Sequence, residues 1–134
     1  LEDLHTPPTV LRMNGWPGFI QRSFWELAGN ADDRLRAVFD TLGIRIQAVS
    51  DEPGFIAARV IAMIINEAYL ALEEHVSTKE EINTAMKLGT NYPFGPFELA
   101  VAIGTSNILN LLERLNRESN RYKPAAALVN EVKQ

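Results

Sequence analysis

DEPGFIAARVIAMIINEAYLALEEHV, residues Asp51 to Val76, decides how the rest of the chain is read. Asp51 and Glu52 stand where acidic side chains favour the positive end of a helix dipole, and Pro53 suits a first helical position. A helix from Pro53 to Glu74 is expected, about 33 Å long at the α-helical rise per residue. Ile56, Val60, Met63, Ile64 and Ala68 make one apolar stripe; Phe55, Ala62, Ile65, Tyr69 and Leu72 cover much of the remaining surface. A helix apolar most of the way round lies at the centre of a core or is shared with a second subunit. Arg59, Asn66 and Glu67 interrupt the run, and such groups are costly at bilayer depth, so no membrane span is expected.

Two motifs carry a family resemblance. Pro53-Gly54-Phe55-Ile56-Ala57-Ala58-Arg59 resembles the PGF(I/V)-x-N-R signature of the 3-hydroxyacyl-CoA dehydrogenases. Gly89-Thr90-Asn91-Tyr92-Pro93-Phe94-Gly95-Pro96-Phe97-Glu98-Leu99 resembles the same family's G-x-x-x-P-x-G-P-F-E-L. They stand in the family's order and at about its spacing, and the resemblance covers Ile44 to Tyr122. In that family the first motif joins a nucleotide-binding domain to a C-terminal helical domain. The resemblance therefore implies a mainly α fold: an all-α C-terminal domain, of the 6-phosphogluconate dehydrogenase C-terminal kind, over residues 50–134. A short α/β remnant of a Rossmann-like, NAD-binding domain would occupy residues 1–49.

The whole chain sets bounds. Its 134 residues are one domain's worth, 46% hydrophobic and 22% charged, as in ordinary globular proteins. A formal net charge of −4 argues against a nucleic-acid partner held by phosphate neutralisation. With no cysteine there is no disulfide, thiolate metal site or cysteine nucleophile. His5 and His75 are far apart in sequence, and nothing supports a metal site built on them. The start has Glu2 and Asp3 and no apolar run of a secretory signal, so a cytoplasmic setting is expected. The first residue is Leu, so the chain is expected to begin inside a longer one.

Along the chain, residues 1–11 carry Pro7 and Pro8 and suit a loop or an edge strand. Asn14 to Gly18 is dense in turn formers. Trp16, Phe19, Phe24 and Trp25 read either as a local apolar cluster or as a ligand-stacking site. Asp32 to Leu42 has Leu35, Val38, Phe39 and Leu42 at helical spacing, with Gly43 as the stop. Ile44 to Val49 alternates with period two, as a strand does. Ser77 and Glu80 are read as a capping box opening a helix that buries Ile82, Ala85 and Met86. Pro96 starts the next helix and Gly104 ends it. Thr105 or Ser106 caps another, with Ile108, Leu111, Leu112 and Leu115 inside, and Pro124 starts a last one with Leu128 and Val132.

Several chemistries are missing. No G-x-G-x-x-G follows a strand, so the turn that seats a dinucleotide pyrophosphate is absent. There is no G-x-x-x-x-G-K-[ST], G-x-S-x-G or H-E-x-x-H either. Arg114, Arg117 and Arg121 share one helical face if that helix persists. They could bind a phosphate of coenzyme A, or be solvated charge balanced by Glu113 and Glu118. If buried, Arg59 needs a carboxylate, such as Glu98 or Glu67, or several carbonyls, and otherwise it snorkels at an edge. The Gly95-Pro96-Phe97-Glu98 turn reads as architectural, and the family's aspartate three residues after that glutamate is here Val101.

The resemblance also implies a function. The parent would oxidise a 3-hydroxyacyl-CoA to the 3-ketoacyl-CoA in fatty acid metabolism with NAD, which this chain alone should not bind. The helical domain would dimerise, with the Pro53 to Val76 helix at or near the interface, and help close the substrate cleft. In the family a histidine takes the hydroxyl proton, a glutamate twelve residues later orients it, and the signature asparagine holds the substrate oxygen. Glu26 fits that glutamate. Asn14 then stands where the histidine should, and Ala58 where the asparagine should; His5 is the other histidine available. The alternatives are a non-catalytic helical dimer that binds acyl-CoA or a partner protein, and a purely structural module.

Overall fold

Short strands and turns open the described chain. The computed structural model describes residues 10–134. His5 and most of the stretch read as a loop or edge strand lie outside the described residues. Strand β1 (Arg12–Met13) pairs antiparallel with β2 (Phe24–Ala28), setting Arg12 against Ala28 and Met13 against Leu27. A parallel neighbour to β2 needs a crossover, and helix α1 (Asp33–Thr41) provides it. It leads into β3 (Arg45–Ala48), parallel to β2, to complete a sheet of order β1-β2-β3.

Each end of α1 has a local cause. The Asp32 carboxylate accepts the Leu35 N–H at 2.9 Å, and Gly43 turns the chain out at φ +69°. Leu35 and Phe39 are half-buried, while Val38 and Leu42 face solvent. The four neighbouring aromatics do not form one cluster. Trp16 meets Phe19 edge-on at 5.9 Å, Trp25 meets Phe39 at 5.6 Å across to α1, and Phe24 is exposed. This compact unit ends at Ile56, and a second runs from Ala57 to Gln134.

Helix α2 (Ala57–Glu73) begins four residues later than Pro53, where the sequence puts it. Gly54 and Phe55 are successively left-handed, at φ +74° and +47°, so no right-handed helix passes through them. Its 17 residues span about 26 Å. Ala58, Ala62, Ile65, Asn66, Ala68 and Tyr69 are buried, and α2 is the axis of the second unit.

Helix α3 (Lys79–Thr90) is capped by Thr78 and Glu81, one residue beyond the expected Ser77 and Glu80. The shift leaves a use for Ser77, whose hydroxyl donates to the same Glu81 carboxylate. None of α3 is fully buried: Ile82 and Met86 are half-buried and Ala85 is exposed. Helix α4 (Pro96–Ile103) starts at the expected proline, with the Glu98 carboxylate accepting the Gly95 N–H at 2.8 Å. Phe97 is buried edge-on against Tyr69 at 5.0 Å between ring centres.

Helix α5 (Thr105–Asn116) is capped by Gly104 at φ +96°, so Thr105 and Ser106 are helical residues, not caps. Ile108, Leu109, Leu112 and Leu115 are buried along it. A 3-10 turn (Asn120–Tyr122) precedes α6 (Ala126–Lys133), which packs on α2 and α5 with Leu128 fully buried. Asn66 is the one buried polar side chain among the described residues. It donates to the Lys123 carbonyl at 3.0 Å and accepts the Ala125 N–H at 2.8 Å.

Candidate functional site

Asn14 leaves β1 directly after Met13, whose partner is Leu27. Asn14 is half-buried, and its side-chain oxygen accepts the Trp16 N–H at 2.9 Å, which starts the turn-rich segment. Glu26 is half-buried in β2, between Trp25 and Leu27. Both residues lie in the first unit, Asn14 just past β1 and Glu26 within β2. Ala58 belongs to the other unit, in the first turn of α2, where 1% of it is exposed and it offers only a methyl group.

The three arginines do not share a helical face. Helix α5 ends at Asn116, so Arg114 lies in its last turn and Arg117 at its cap. Arg121 lies in the 3-10 turn, with its guanidinium 5.3 Å from the centre of the Tyr122 ring.

A trough between α2 and α3 went unread in the sequence. It encloses about 550 Å³, and Val60, Met63, Ile64, Ile82 and Met86 form its apolar walls. Arg59, Glu67 and Arg121 also line it. Arg59 is half-buried there and Glu67 exposed. The spacing 60, 63, 64 on one helix and 82, 86 on the next was the available signal; nothing in either stretch alone joins them.

Polar ties fix the surrounding helices. Lys79 donates to Glu131 at 2.6 Å, and its ammonium lies 5.4 and 5.2 Å from the ring centres of Tyr69 and Phe97. Burial, then the neighbouring Glu131, pushes the Tyr69 hydroxyl well above the usual phenol range. Burial pushes Glu131 up, but hydrogen bonds from Lys79 and Tyr69 outweigh it and hold the carboxyl below its usual range. Among the described residues no group of three His, Asp or Glu side chains is placed to hold a metal ion.

A pyrophosphate uses free N–H groups at a helix N-terminus. At α1 the Asp32 carboxylate already accepts the Leu35 N–H, and Asp33 adds a second negative charge in the first turn. Among the described residues, no helix is long and apolar enough to cross a membrane.

A short parallel βαβ unit followed by helices gathered round one buried helix matches the C-terminal portions of a class of coenzyme A-linked dehydrogenases. The profile described as 3-hydroxyacyl-CoA dehydrogenase, C-terminal domain, matches residues 54–133. The chain belongs to that family. It is 42% identical over 88 residues to 3-hydroxyadipyl-CoA dehydrogenase of Escherichia coli, covering 64% of this chain and 18% of that protein. It is 39% identical over 93 residues to 3-hydroxybutyryl-CoA dehydrogenase of Bradyrhizobium diazoefficiens, covering 68% and 32%. The crystal structure of (S)-3-hydroxybutyryl-CoA dehydrogenase from Ralstonia eutropha superimposes with a TM-score of 0.77 at 32% identity, over 84% of this chain and 43% of that one. The chain therefore spans less than half the length of each of these relatives.

Proposed function

We propose that this chain is the C-terminal portion of an NAD-dependent dehydrogenase that interconverts 3-hydroxyacyl-CoA and 3-ketoacyl-CoA thioesters in the cytoplasm. Residues 1–49 would close the Rossmann-like domain, and residues 50–134 would form the helical domain. The chain would supply dimerisation and substrate-cleft surface. The observation that carries this is the family match over residues 54–133, which falls on the helices that leave the apolar trough open. Arg114, Arg117 and Arg121 are candidates for the phosphates of coenzyme A, now as separate contacts and not one helical patch.

A second reading is a non-catalytic helical dimer that holds acyl-CoA, and two residues favour it. A base near neutral pH needs a group such as imidazole, and the carboxamide of Asn14 takes up no proton there. Ala58 has no side-chain donor to hold a substrate oxygen. Loss of a general base typically lowers turnover by about 10²–10⁴-fold.

Expressing the parent and following NADH oxidation with acetoacetyl-CoA separates the two. Ordinary dehydrogenase rates in the wild type support the enzyme and end the second reading. Slow turnover that rises in Asn14→His and Ala58→Asn supports the second. Calorimetry of the 134-residue chain with NADH is expected to show no binding. Sedimentation equilibrium at micromolar concentration is expected to show a dimer; a species of 15.0 kDa throughout contradicts it.

A further inference from the structure

We propose that Asn14 is a site of spontaneous covalent modification in the folded chain: the Gly15 amide nitrogen closes a ring on the asparagine side chain, and water opens it to aspartate or isoaspartate. This goes beyond the dehydrogenase reading and does not depend on it. Of the asparagines in the chain, Asn14 alone is followed by glycine. The ring-closing atom is the backbone nitrogen of the next residue. A side chain on that residue crowds the approach, and glycine has none. Gly15 is exposed, and nothing lies within 4 Å of where a Cβ would stand.

The side-chain atoms of Asn14 are held as the reaction requires. Attack by the Gly15 nitrogen on Cγ places negative charge on Oδ1, and the Trp16 N–H already donates to that oxygen at 2.9 Å. A donor set in advance where charge develops lowers such a barrier. The leaving atom, Nδ2, is buried and has no hydrogen-bond partner among the described residues, so no such bond holds it back. As the bond from Cγ to the Gly15 nitrogen forms, the Cγ–Nδ2 bond breaks. Nδ2 departs as ammonia, its third hydrogen matching the proton lost from the Gly15 amide. Water that opens the ring at Cγ leaves aspartate. Opening at the backbone carbonyl leaves isoaspartate, whose main chain runs through Cγ and is one methylene longer. No oxidant or reductant takes part. Either product adds one negative charge to a chain of net charge −4.

The tryptic peptide of residues 13–22 contains Asn14 as its only asparagine. After incubation of the folded chain for days at mildly alkaline pH, that peptide is expected to gain a single mass unit, which fragment ions place at Asn14 and not at Gln21. A protein isoaspartate methyltransferase with labelled S-adenosylmethionine should then label the same peptide. Peptides that carry the other asparagines are internal controls and should change more slowly. Gly15→Ala adds a methyl group in open space and leaves the fold alone. It should slow the conversion by about tenfold or more. A parallel incubation in urea reports the unfolded chain. An Asn14 that converts in urea but stays intact in the folded chain is protected by the fold, and this overturns the proposal. So does a Gly15→Ala chain that converts as fast as the wild type, or a faster gain at another asparagine.

Discussion

The carboxamide of Asn66 accepts the N–H of Ala125 at 2.8 Å, from 59 residues away in sequence and in full burial. The same side chain donates to the Lys123 carbonyl at 3.0 Å, so one residue of α2 satisfies both backbone groups that lead into α6. Asn66→Ala leaves those groups without partners, and a buried unsatisfied polar group costs about 1–3 kcal/mol. We expect Asn66→Ala to lower the unfolding free energy by about 2–4 kcal/mol in urea titration. A loss below about 0.5 kcal/mol means that water replaces the carboxamide.

Gly95 is required for space and not for conformation, since its φ of −78° suits any residue. A Cβ there would lie 2.3 Å from the Asn83 side-chain oxygen, which accepts the Phe97 N–H at 2.9 Å. Gly95→Ala must displace Asn83 and break that bond, at about 1–3 kcal/mol. Asn83→Ala would still leave a Cβ 2.5 Å away, so the background that removes these side-chain atoms is Asn83→Gly, where the same substitution should cost much less. Equal losses in both backgrounds refute the steric account.

Ala62 is 0% exposed at the middle of α2. Proline there removes a helix hydrogen bond and clashes with the preceding turn, at about 3 kcal/mol or more. That is a large share of the ~5–15 kcal/mol typical of a domain. Ala62→Pro should lose most of its helical circular dichroism at 37 °C. An unchanged spectrum and melting temperature remove α2 from the centre of the unit.

Acid should weaken the helical unit through three glutamates held below their usual range. Glu98 owes this to Lys87 and then to the Gly95 N–H. Glu81 owes it to the Ser77 hydroxyl and then to Thr78. In Glu131 the hydrogen bonds from Lys79 and Tyr69 outweigh the upward push of burial. Their folded pKa values lie below the unfolded value of about 4.3, so their contribution is complete above it and is lost as pH falls through the folded values. The melting temperature should be level from about pH 7 to 5.5 and fall below about pH 4.5. Lys79→Met and Lys87→Met should flatten that fall; an identical acid limb in both would assign it to other groups.

Much of this fold could be read from the sequence because its helices are amphipathic or apolar at regular spacing. Leu112 and Leu115 in α5 and Leu128 in α6 are buried as their spacing predicts. The start of α2 could not be read, because its late onset depends on a left-handed Phe55, a conformation that a phenylalanine does not advertise. Ser77-Thr78 and Glu80-Glu81 offer two capping boxes at the same spacing, and the structure uses the second. Strand β2 was missed because Phe24 to Ala28 contains Glu26 and Ala28 and lacks β-branched residues. At the candidate site the twelve-residue spacing of Asn14 and Glu26 was visible, but the pairing of β1 with β2 was not. The trough needed two helices at once.

The ties that hold α6 also set a timetable. Asn66 and Lys123 are 57 residues apart, Lys79 and Glu131 are 52, and Glu73 reaches the Ala127 N–H across 54. During translation α2 therefore leaves the ribosome with its carboxamide unmatched, and the part of its face that α6 covers stays open until the segment after Arg121 has cleared the exit tunnel. Until then, the nascent α2 is the segment for which a chaperone that recognises exposed apolar helices would compete.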